Sequence, residues 1–125
     1  MSKNIAYRQA CVLNEVTKLH TMQEIAKGLA EILDKKSDID VSIYETSDDG
    51  FVLRKKKDGT ITDNEIISGI RKTIKDMIDD TDDFEEIISD QYDFDYDKSL
   101  ITDAYLADVI NIRRSGRLIH IELDL

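Results

Sequence analysis

Residues 92–97 alternate strictly between aromatic and acidic side chains. In an extended chain this pattern would place the rings on one face and the carboxylates on the other, with successive carboxylates about 6.6 Å apart. Such a line of negative charge could imitate a nucleic-acid backbone and occupy the basic groove of a nuclease or another nucleic-acid-binding protein. The competing interpretation is an edge strand whose rings enter the core while its acids face water and discourage strand pairing. Both interpretations stay open at the level of sequence.

The alternating residues belong to a longer acidic segment, residues 76–97, which holds eleven acidic side chains and no basic one. The formal net charge of the chain is −10 and this segment contributes −11, so the other 103 residues sum to +1. The negative charge is therefore local. A concentrated negative field steers basic partners towards a protein, and aromatic side chains set into the field can then hold them.

We predict that a partner-binding surface lies in residues 79–97 of the acidic segment. If the rings are exposed, they would supply the apolar anchors of the interface while the carboxylates set its specificity. The residues assigned to this surface are Asp79, Asp80, Asp82, Asp83, Phe84, Glu85, Glu86, Tyr92, Asp93, Phe94, Asp95, Tyr96 and Asp97. The alternative for residues 79–86 is a solvated connection, in which Asp82 and Glu85 cap a short helix ending near Ile88.

Asp93, Asp95 and Asp97 also match the first three ligand positions of a calcium-binding loop. Such a loop needs glycine at its sixth position and a bidentate glutamate at its twelfth, where this chain has Lys98 and Ala104. Three carboxylates without the turn glycine usually stay solvated. We therefore predict no metal site and no cofactor.

The arginines of the C-terminal part offer an alternative site for an anionic small molecule. The candidate anion-binding residues are Arg113, Arg114 and Arg117. A turn at Ser115 and Gly116 would place Arg114 opposite Arg117, which is unfavourable unless an anion neutralises the pair. An oligomeric protein that sequesters or senses a phosphate or nucleotide would use them in this way. The competing interpretation is charge balance within the chain or within a dimer.

The sequence gives little support to catalysis. His20 and His120 are the only histidines, and Cys11 lies nine residues from His20, which on one helix would turn the two onto different faces. The chain has no serine elbow, phosphate-binding loop or zinc-ligand spacing. We expect a protein that is not an enzyme.

The hydrophobic pattern predicts the elements that position these residues. Residues 5–34 have the three- and four-residue period of an amphipathic helix, and a capping box at Thr21 and Glu24 leaves open whether they form one helix or two. A hairpin is predicted for residues 40–57, a helix for 62–80 with a capping box at Thr62 and Glu65, the acidic segment for 76–97, and a second hairpin for 106–124. This order indicates a single α+β domain in which the helices pack on an antiparallel sheet built from the two hairpins.

The hairpin patterns also predict which side chains share a face. With a turn at Ser115 and Gly116, Ile112 would lie opposite Ile119 and Ile110 opposite Ile121. The predicted apolar face continues through Leu123 and Leu125, with Asn111, His120, Glu122 and Asp124 on the other side. In the first hairpin Val41, Ile43 and Glu45 are predicted to share one side.

Length and composition set the remaining expectations. A chain of 125 residues with 41% hydrophobic content suits one modest core, and its single cysteine agrees with a reducing compartment. No apolar run is long enough to span a membrane, so we expect a cytoplasmic protein. An acidic chain also disfavours direct contact with nucleic acid.

The leading hypothesis from the sequence is a small acidic inhibitor that binds a basic protein or nucleic-acid-handling effector and blocks it by electrostatic occupancy. In general composition the chain resembles phage anti-defence proteins, toxin immunity proteins and nucleic-acid mimics, although no motif ties it to any of them. The strand edges of two hairpins and a long apolar helical stripe are also compatible with a homodimer.

Overall fold

A four-stranded antiparallel sheet with helices packed on it forms the fold in the computed structural model, which describes residues 4–36 and 39–124. In chain order the elements are α1 (Ile5–Leu19), α2 (Met22–Lys36), β1 (Val41–Thr46), β2 (Gly50–Lys55), α3 (Asp63–Asp79), α4 (Phe84–Tyr92), α5 (Asp103–Val109), β3 (Ile110–Ser115) and β4 (Leu118–Leu123). The predicted α+β class and the two hairpins are confirmed. No helix within the described ranges is both long and apolar enough to cross a membrane.

The N-terminal helical region consists of two helices. His20 has extended backbone angles and ends α1, and the side chain of Thr21 then accepts a hydrogen bond from the backbone N–H of Glu24 at 3.1 Å. The Glu24 carboxylate in turn accepts from the backbone N–H of Thr21 at 3.4 Å. This capping box satisfies backbone donors that would be unpaired at the start of α2, so it fixes the break between the helices.

The strands are ordered β1-β2-β4-β3, so the two hairpins meet through the pairing of β2 with β4. Phe51 and Leu53 pair with Ile121 and Ile119 across that junction, and all four side chains are buried. The helices cover this face, mainly through α2 against β1 and β2 and through α3 against α2. The opposite face of the sheet has no covering layer among the described residues.

Two glycines allow α2 and α3 to approach closely. A Cβ atom on Gly28 would lie 2.5 Å from Cγ2 of Thr73, and one on Gly69 would lie 2.5 Å from Cδ1 of Leu29. Both distances are far below normal van der Waals contact, so a larger residue at either position would require the facing Thr73 or Leu29 side chain to move. The close packing holds α3 firmly against the core, and α3 leads directly into the acidic segment.

The register of the C-terminal hairpin differs from the prediction. Ser115 pairs with Leu118, so the two turn residues are Gly116 and Arg117. Gly116 has φ +60° at the first turn position, a conformation that favours glycine and suits a two-residue hairpin turn. Ile112 therefore lies opposite Ile121 and Ile110 opposite Leu123. Because the shift is two residues, the predicted apolar face survives; Leu125 lies outside the described residues.

The first hairpin also departs from a regular alternation. The pairing of β1 with β2 shifts between Ile43 and Glu45, which is a β-bulge at Tyr44. Ile43 pairs with the buried Leu53, whereas Glu45 pairs with Val52 on the uncovered side of the sheet. The prediction that Glu45 shares a side with Ile43 is wrong, because the extra residue moves every later side chain to the opposite face.

Three helices follow the first hairpin. The capping box of Thr62 and Glu65 starts α3 as predicted, and α3 ends at Asp79. A short helix, α4, does follow, but it runs to Tyr92, and its N-cap residue is Asp83, whose side chain makes no capping hydrogen bond. The second hairpin begins at Ile110 and not at residue 106, because the Thr102 side chain caps a helix, α5, over the intervening residues.

Candidate functional site

The acidic segment is an ordered part of the domain and not a loosely attached connection. Its apolar residues Ile78, Phe84 and Ile88 are buried in the common core, with Ile88 fully so. Helix α4 also contacts α1. A charged region that is tied down by buried side chains presents its carboxylates in a fixed arrangement, which a partner can recognise without first ordering the chain.

Every carboxylate of the acidic segment is exposed to solvent. We call this set the acidic surface; it consists of Asp76, Asp79, Asp80, Asp82, Asp83, Glu85, Glu86, Asp90, Asp93, Asp95 and Asp97. None of the eleven forms an ion pair within residues 4–36 and 39–124. The ion pairs there use other acids: Glu24 with His20, Asp40 with Lys57, Asp58 with Arg117, Asp63 with Arg114 and Asp103 with Arg71. No ion pair among the described residues therefore offsets the charge of the acidic surface.

The aromatic side chains of the segment point towards the core and not away from it. Phe84 is 4% exposed, and its ring meets that of Tyr96 edge to face, with centroids 5.2 Å apart. Tyr92 and Phe94 are half-buried, with centroids 6.3 Å apart. These rings pack against the hydrophobic core. Phe84 is thus not available as an exposed anchor, and the other three offer a partner only part of their surface.

Residues 93–97 alternate in burial without forming a strand. Asp93, Asp95 and Asp97 are exposed, and the aromatic residues between them are half-buried, but the backbone after α4 is irregular. Asp93 itself has φ +59° and ends α4. The predicted alternation of exposed acids with more buried rings is therefore present, whereas the proposed edge strand is not. The acids form a charged face, and the rings between them anchor this segment to the hydrophobic core.

Local hydrogen bonds hold the last acid of the surface. The Asp97 carboxylate accepts from the backbone N–H of Ser99 at 2.8 Å and from its hydroxyl at 2.9 Å. The backbone bond, then the hydroxyl bond, lower the pKa of Asp97, with a smaller effect from the charge of Arg8. Burial, followed by the charges of Asp79, Asp97 and Glu85, raises the pKa of Tyr96. These carboxylates therefore act together on a phenol that lies among them.

An open groove of about 370 Å³ runs through the acidic surface between the end of α3 and the start of α4. Asp79, Asp83 and Glu85 line it together with Tyr96, and Lys98 is the only basic side chain among its described lining residues. A groove walled by carboxylates suits a lysine or arginine side chain of a partner. Across the ranges that the structure covers, no three His, Cys, Asp or Glu side chains converge in a way that could hold a metal ion.

The structure does not bring the candidate anion-binding arginines together. Arg114 pairs with Asp63 at 2.5 Å, and Arg117 pairs with Asp58 at 3.1 Å and also donates to the backbone carbonyl of Lys56. Arg114 lies opposite Ile119 and not opposite Arg117. The predicted juxtaposition of the two arginines is therefore wrong, because the turn is one residue further along the chain.

The remaining candidate residues are dispersed. Arg113 pairs with His120 across β3 and β4 and lines a small groove of about 130 Å³ on the uncovered side of the sheet, with Glu45 and Glu122. His20 lies elsewhere, where its Nδ1 is 3.0 Å from the Glu24 carboxylate. Cys11 is buried in α1. The histidines and the cysteine do not share a site.

Sequence reasoning missed a further groove, lined by Tyr7, Cys11, Tyr92, Tyr105 and Asp124 among others. Its only sequence signal is the helical spacing of Tyr7, Cys11 and Asn14, which places them on one face of α1. The other lining residues come from α4, α5 and the residue after β4, so the groove depends on the tertiary fold. We call it the tyrosine groove.

Comparison of the chain with protein-family models, with curated proteins and with solved structures gives no significant match. Function is therefore argued from the geometry and charge of the sites described above.

Proposed function

We propose that this chain is a small cytoplasmic binding protein whose acidic surface occupies the basic surface of a partner and so blocks it. The partner class is a basic protein or a nucleic-acid-handling effector. One observation carries the proposal: eleven exposed carboxylates lie on an ordered frame, and none has an ion-pair partner within the described chain. All five ion pairs among the described residues use acids outside the segment, and the segment itself has eleven acidic and no basic side chains within 22 residues, so its negative charge is both dense and unpaired there.

The electrostatics support recognition of a cationic partner in particular. Like charges in close array destabilise the isolated protein, and a basic partner would relieve that repulsion on binding. Long-range attraction would accelerate encounter, and the interaction would weaken as salt screens the charges. The same field repels phosphate groups, so the proposed contact is with protein and not with nucleic acid. The mechanism is occupancy, with no chemical step assigned to the chain.

The buried rings change how the interface would work. Since Phe84 is buried and its neighbours are half-buried, apolar anchoring contributes less than an exposed aromatic patch would. We expect the affinity to depend mainly on complementary charge and on partner side chains entering the groove beside Asp79 and Glu85. The alternative, anion capture by Arg114 and Arg117, is not favoured, because both guanidinium groups already have carboxylate partners.

Affinity capture from the native host lysate tests the proposal, with wild-type protein and with Asp93, Asp95 and Asp97 all changed to Asn. The matched control removes the same charge elsewhere, through Glu31→Gln, Asp48→Asn and Asp108→Asn, at exposed residues outside the acidic segment. We expect a basic nucleic-acid-handling protein to be captured by the wild type and the control but not by the triple variant. Raised salt should release it.

Two results would overturn the proposal. One is recovery of the same proteins by the wild type and by the triple variant; the other is recovery of no protein by the wild type at low salt. In either case the acidic surface is a solvated face. Loss of capture by Arg114→Ala with Arg117→Ala, together with retention by the triple variant, would instead assign function to the arginines.

A further inference from the structure

The tyrosine groove lies between α1 on one side and α5 with the end of α4 on the other. Its volume of about 450 Å³ is within the usual range of small-molecule sites, and its lining is mainly apolar. Three of the five tyrosines in the chain line it: Tyr7, Tyr92 and Tyr105. Val109 and Cys11 add apolar surface, with Cys11 itself buried.

The surrounding structure holds the Tyr92 ring and the backbone at Tyr105. The Tyr92 hydroxyl donates to Oε1 of Glu15 at 3.4 Å, and its ring also contacts that of Phe94. Tyr105 is half-buried, and its backbone N–H donates to the hydroxyl of Thr102 at 3.1 Å. A site whose rings are held in place before binding loses less side-chain freedom when a ligand enters.

The groove is negative and contains no basic side chain among its described lining residues. Asp124 lines it, and its backbone N–H donates to the carbonyl of Val109 at 2.7 Å, which holds the residue beside α5. The Asp124 carboxylate has no ion-pair partner within the described ranges. Glu15, which is 3% exposed, adds a second carboxyl group behind the Tyr92 ring.

The aromatic rings of the groove have electron-rich faces, and the pKa values of two of the phenols are raised. A hydrogen bond with Cys11, followed by the charge of Cys11, raises the pKa of Tyr7. Burial, then the charge of Cys11, raises the pKa of Tyr105. Ring faces of this kind attract organic cations, and quaternary ammonium ligands are commonly held between several aromatic side chains.

From this geometry we infer that the tyrosine groove binds a small organic cation with an apolar body, of the quaternary or alkylated ammonium class. Three tyrosine rings would surround the cation, and the Asp124 carboxylate at the same groove would complement its charge. An inorganic cation is a poor fit because it needs several oxygen ligands, and an anion is disfavoured because the described lining residues include Asp124 and no basic side chain. This site is separate from the proposed partner interface, with which it shares only Tyr92.

Choline is a suitable probe, and its uncharged isostere 3,3-dimethylbutan-1-ol is the matched ligand control. Both are titrated into the full chain in phosphate buffer, free of other organic cations, and binding is followed by amide NMR shifts and tyrosine fluorescence. We expect saturable shifts at Tyr7, Tyr105 and Asp124. Choline should bind about tenfold more tightly than the isostere, a difference that reports the charge.

Two variants and two controls locate the site. Asp124→Asn should weaken choline binding roughly fivefold, and Tyr7→Leu by about threefold or more. Tyr7 is 42% exposed, so its replacement leaves the core intact. Tyr44→Leu, at a tyrosine 56% exposed on β1, and Asp48→Asn in the first hairpin turn should not change the affinity.

The inference is overturned if folded wild-type protein shows no saturable shift with millimolar choline. It is also overturned if the isostere binds as tightly as choline, which would make the groove simply apolar, or if the shifts lie on the acidic surface. Since Tyr7 and Asp124 are outside the acidic segment, these results do not bear on the proposed capture of a basic partner.

Discussion

The two ends of α3 place carboxylates in opposite electrostatic surroundings. At its N-terminus Asp63 occupies the first turn, where the helix dipole favours an anion, and it pairs with Arg114. At its C-terminus Asp76 and Asp79 lie where the dipole favours cations, and the last turn contains no basic residue. Asp63 thus contributes to folding, whereas the acids at the other end work against it. A contribution to the stability of the fold therefore does not account for the acids at the C-terminal end of α3. This supports a binding role for the acidic surface.

The comparison assumes that the acidic segment unfolds together with the rest of the core. The substitution Ile88→Ala tests this, and it has the largest expected effect on the free energy of unfolding. Ile88 is fully buried, so its truncation should lower the free energy of unfolding by about 2–5 kcal/mol. Ile87→Ala, at the half-buried neighbour on α4, is the control and should cost less. Chemical denaturation measures both. Equal, small effects would mean that α4 opens independently of the core.

Matched substitutions at the two ends of α3 sharpen the comparison. Asp63→Asn should lower the free energy of unfolding by about 0.5–1 kcal/mol, because it removes an anion favoured by the dipole together with an exposed ion pair. Asp79→Asn should raise it by about 0.3–1 kcal/mol, because it removes an unfavourable anion from a crowded negative region. Urea denaturation of both variants at low salt gives the two signs. The same sign for both would remove the contrast between the ends.

The smallest expected effect is a change in the pKa of Asp97, the last carboxylate of the acidic surface. Ser99→Ala removes one of the two hydrogen bonds that lower the pKa of Asp97, so that pKa should rise part of the way towards its ordinary value while the backbone bond remains. A lowered pKa in the folded state gives a stabilising contribution that is present above the unfolded-state pKa and is lost as the pH falls through the folded-state pKa. In the variant this contribution should therefore be smaller, and its loss on acidification should be complete at a higher pH.

An NMR titration of the Asp97 carboxyl carbon measures that shift directly. Ser89→Ala, at an exposed serine of α4, serves as the control and should leave the titration of Asp97 unchanged. An unchanged titration in Ser99→Ala would mean that the hydroxyl does not contribute, and that the backbone N–H alone lowers the pKa.

Much of the fold was predictable because the local sequence signals for helix starts and strand faces agree with the burial seen in the structure. The capping boxes at Thr21 and Thr62 mark helix starts in the sequence and form as hydrogen-bonded pairs in the structure. The apolar alternation of the last strands identified their buried face correctly even though the turn was misplaced, since a shift of two residues preserves the face.

The errors arose where one residue decides the local geometry. Serine and glycine at 115 and 116 suggested a turn centred on that pair, but the turn needs glycine at its first position, which moves the centre to Gly116 and Arg117. The bulge at Tyr44 has no local sequence signal, and α5 is too short for a helical period to stand out. The tyrosine groove could not be foreseen, because its residues meet only in the tertiary structure.

The candidate site was predictable in charge but not in the placement of its rings. The density of acids in residues 76–97 identified a surface that is exposed in the structure and forms no ion pair with any other described residue. Aromatic residues among acids are compatible with either exposure or burial, and only the position of the core relative to Phe84 decides between them. The proposed role of the surface stays a prediction until a partner is captured.

Helix α4 is flanked by two aspartates with left-handed backbone, its N-cap Asp83 at φ +61° and its C-cap Asp93 at φ +59°. Most side chains avoid this conformation, whereas aspartate and asparagine tolerate it and glycine adopts it freely. These two positions are therefore restricted by chain geometry as well as by charge. A related chain that had lost the acidic surface should still carry Asp, Asn or Gly at both of them, while the other acids of the surface would be free to diverge. Such a pattern of substitution would separate the residues that shape this region from those that only charge it.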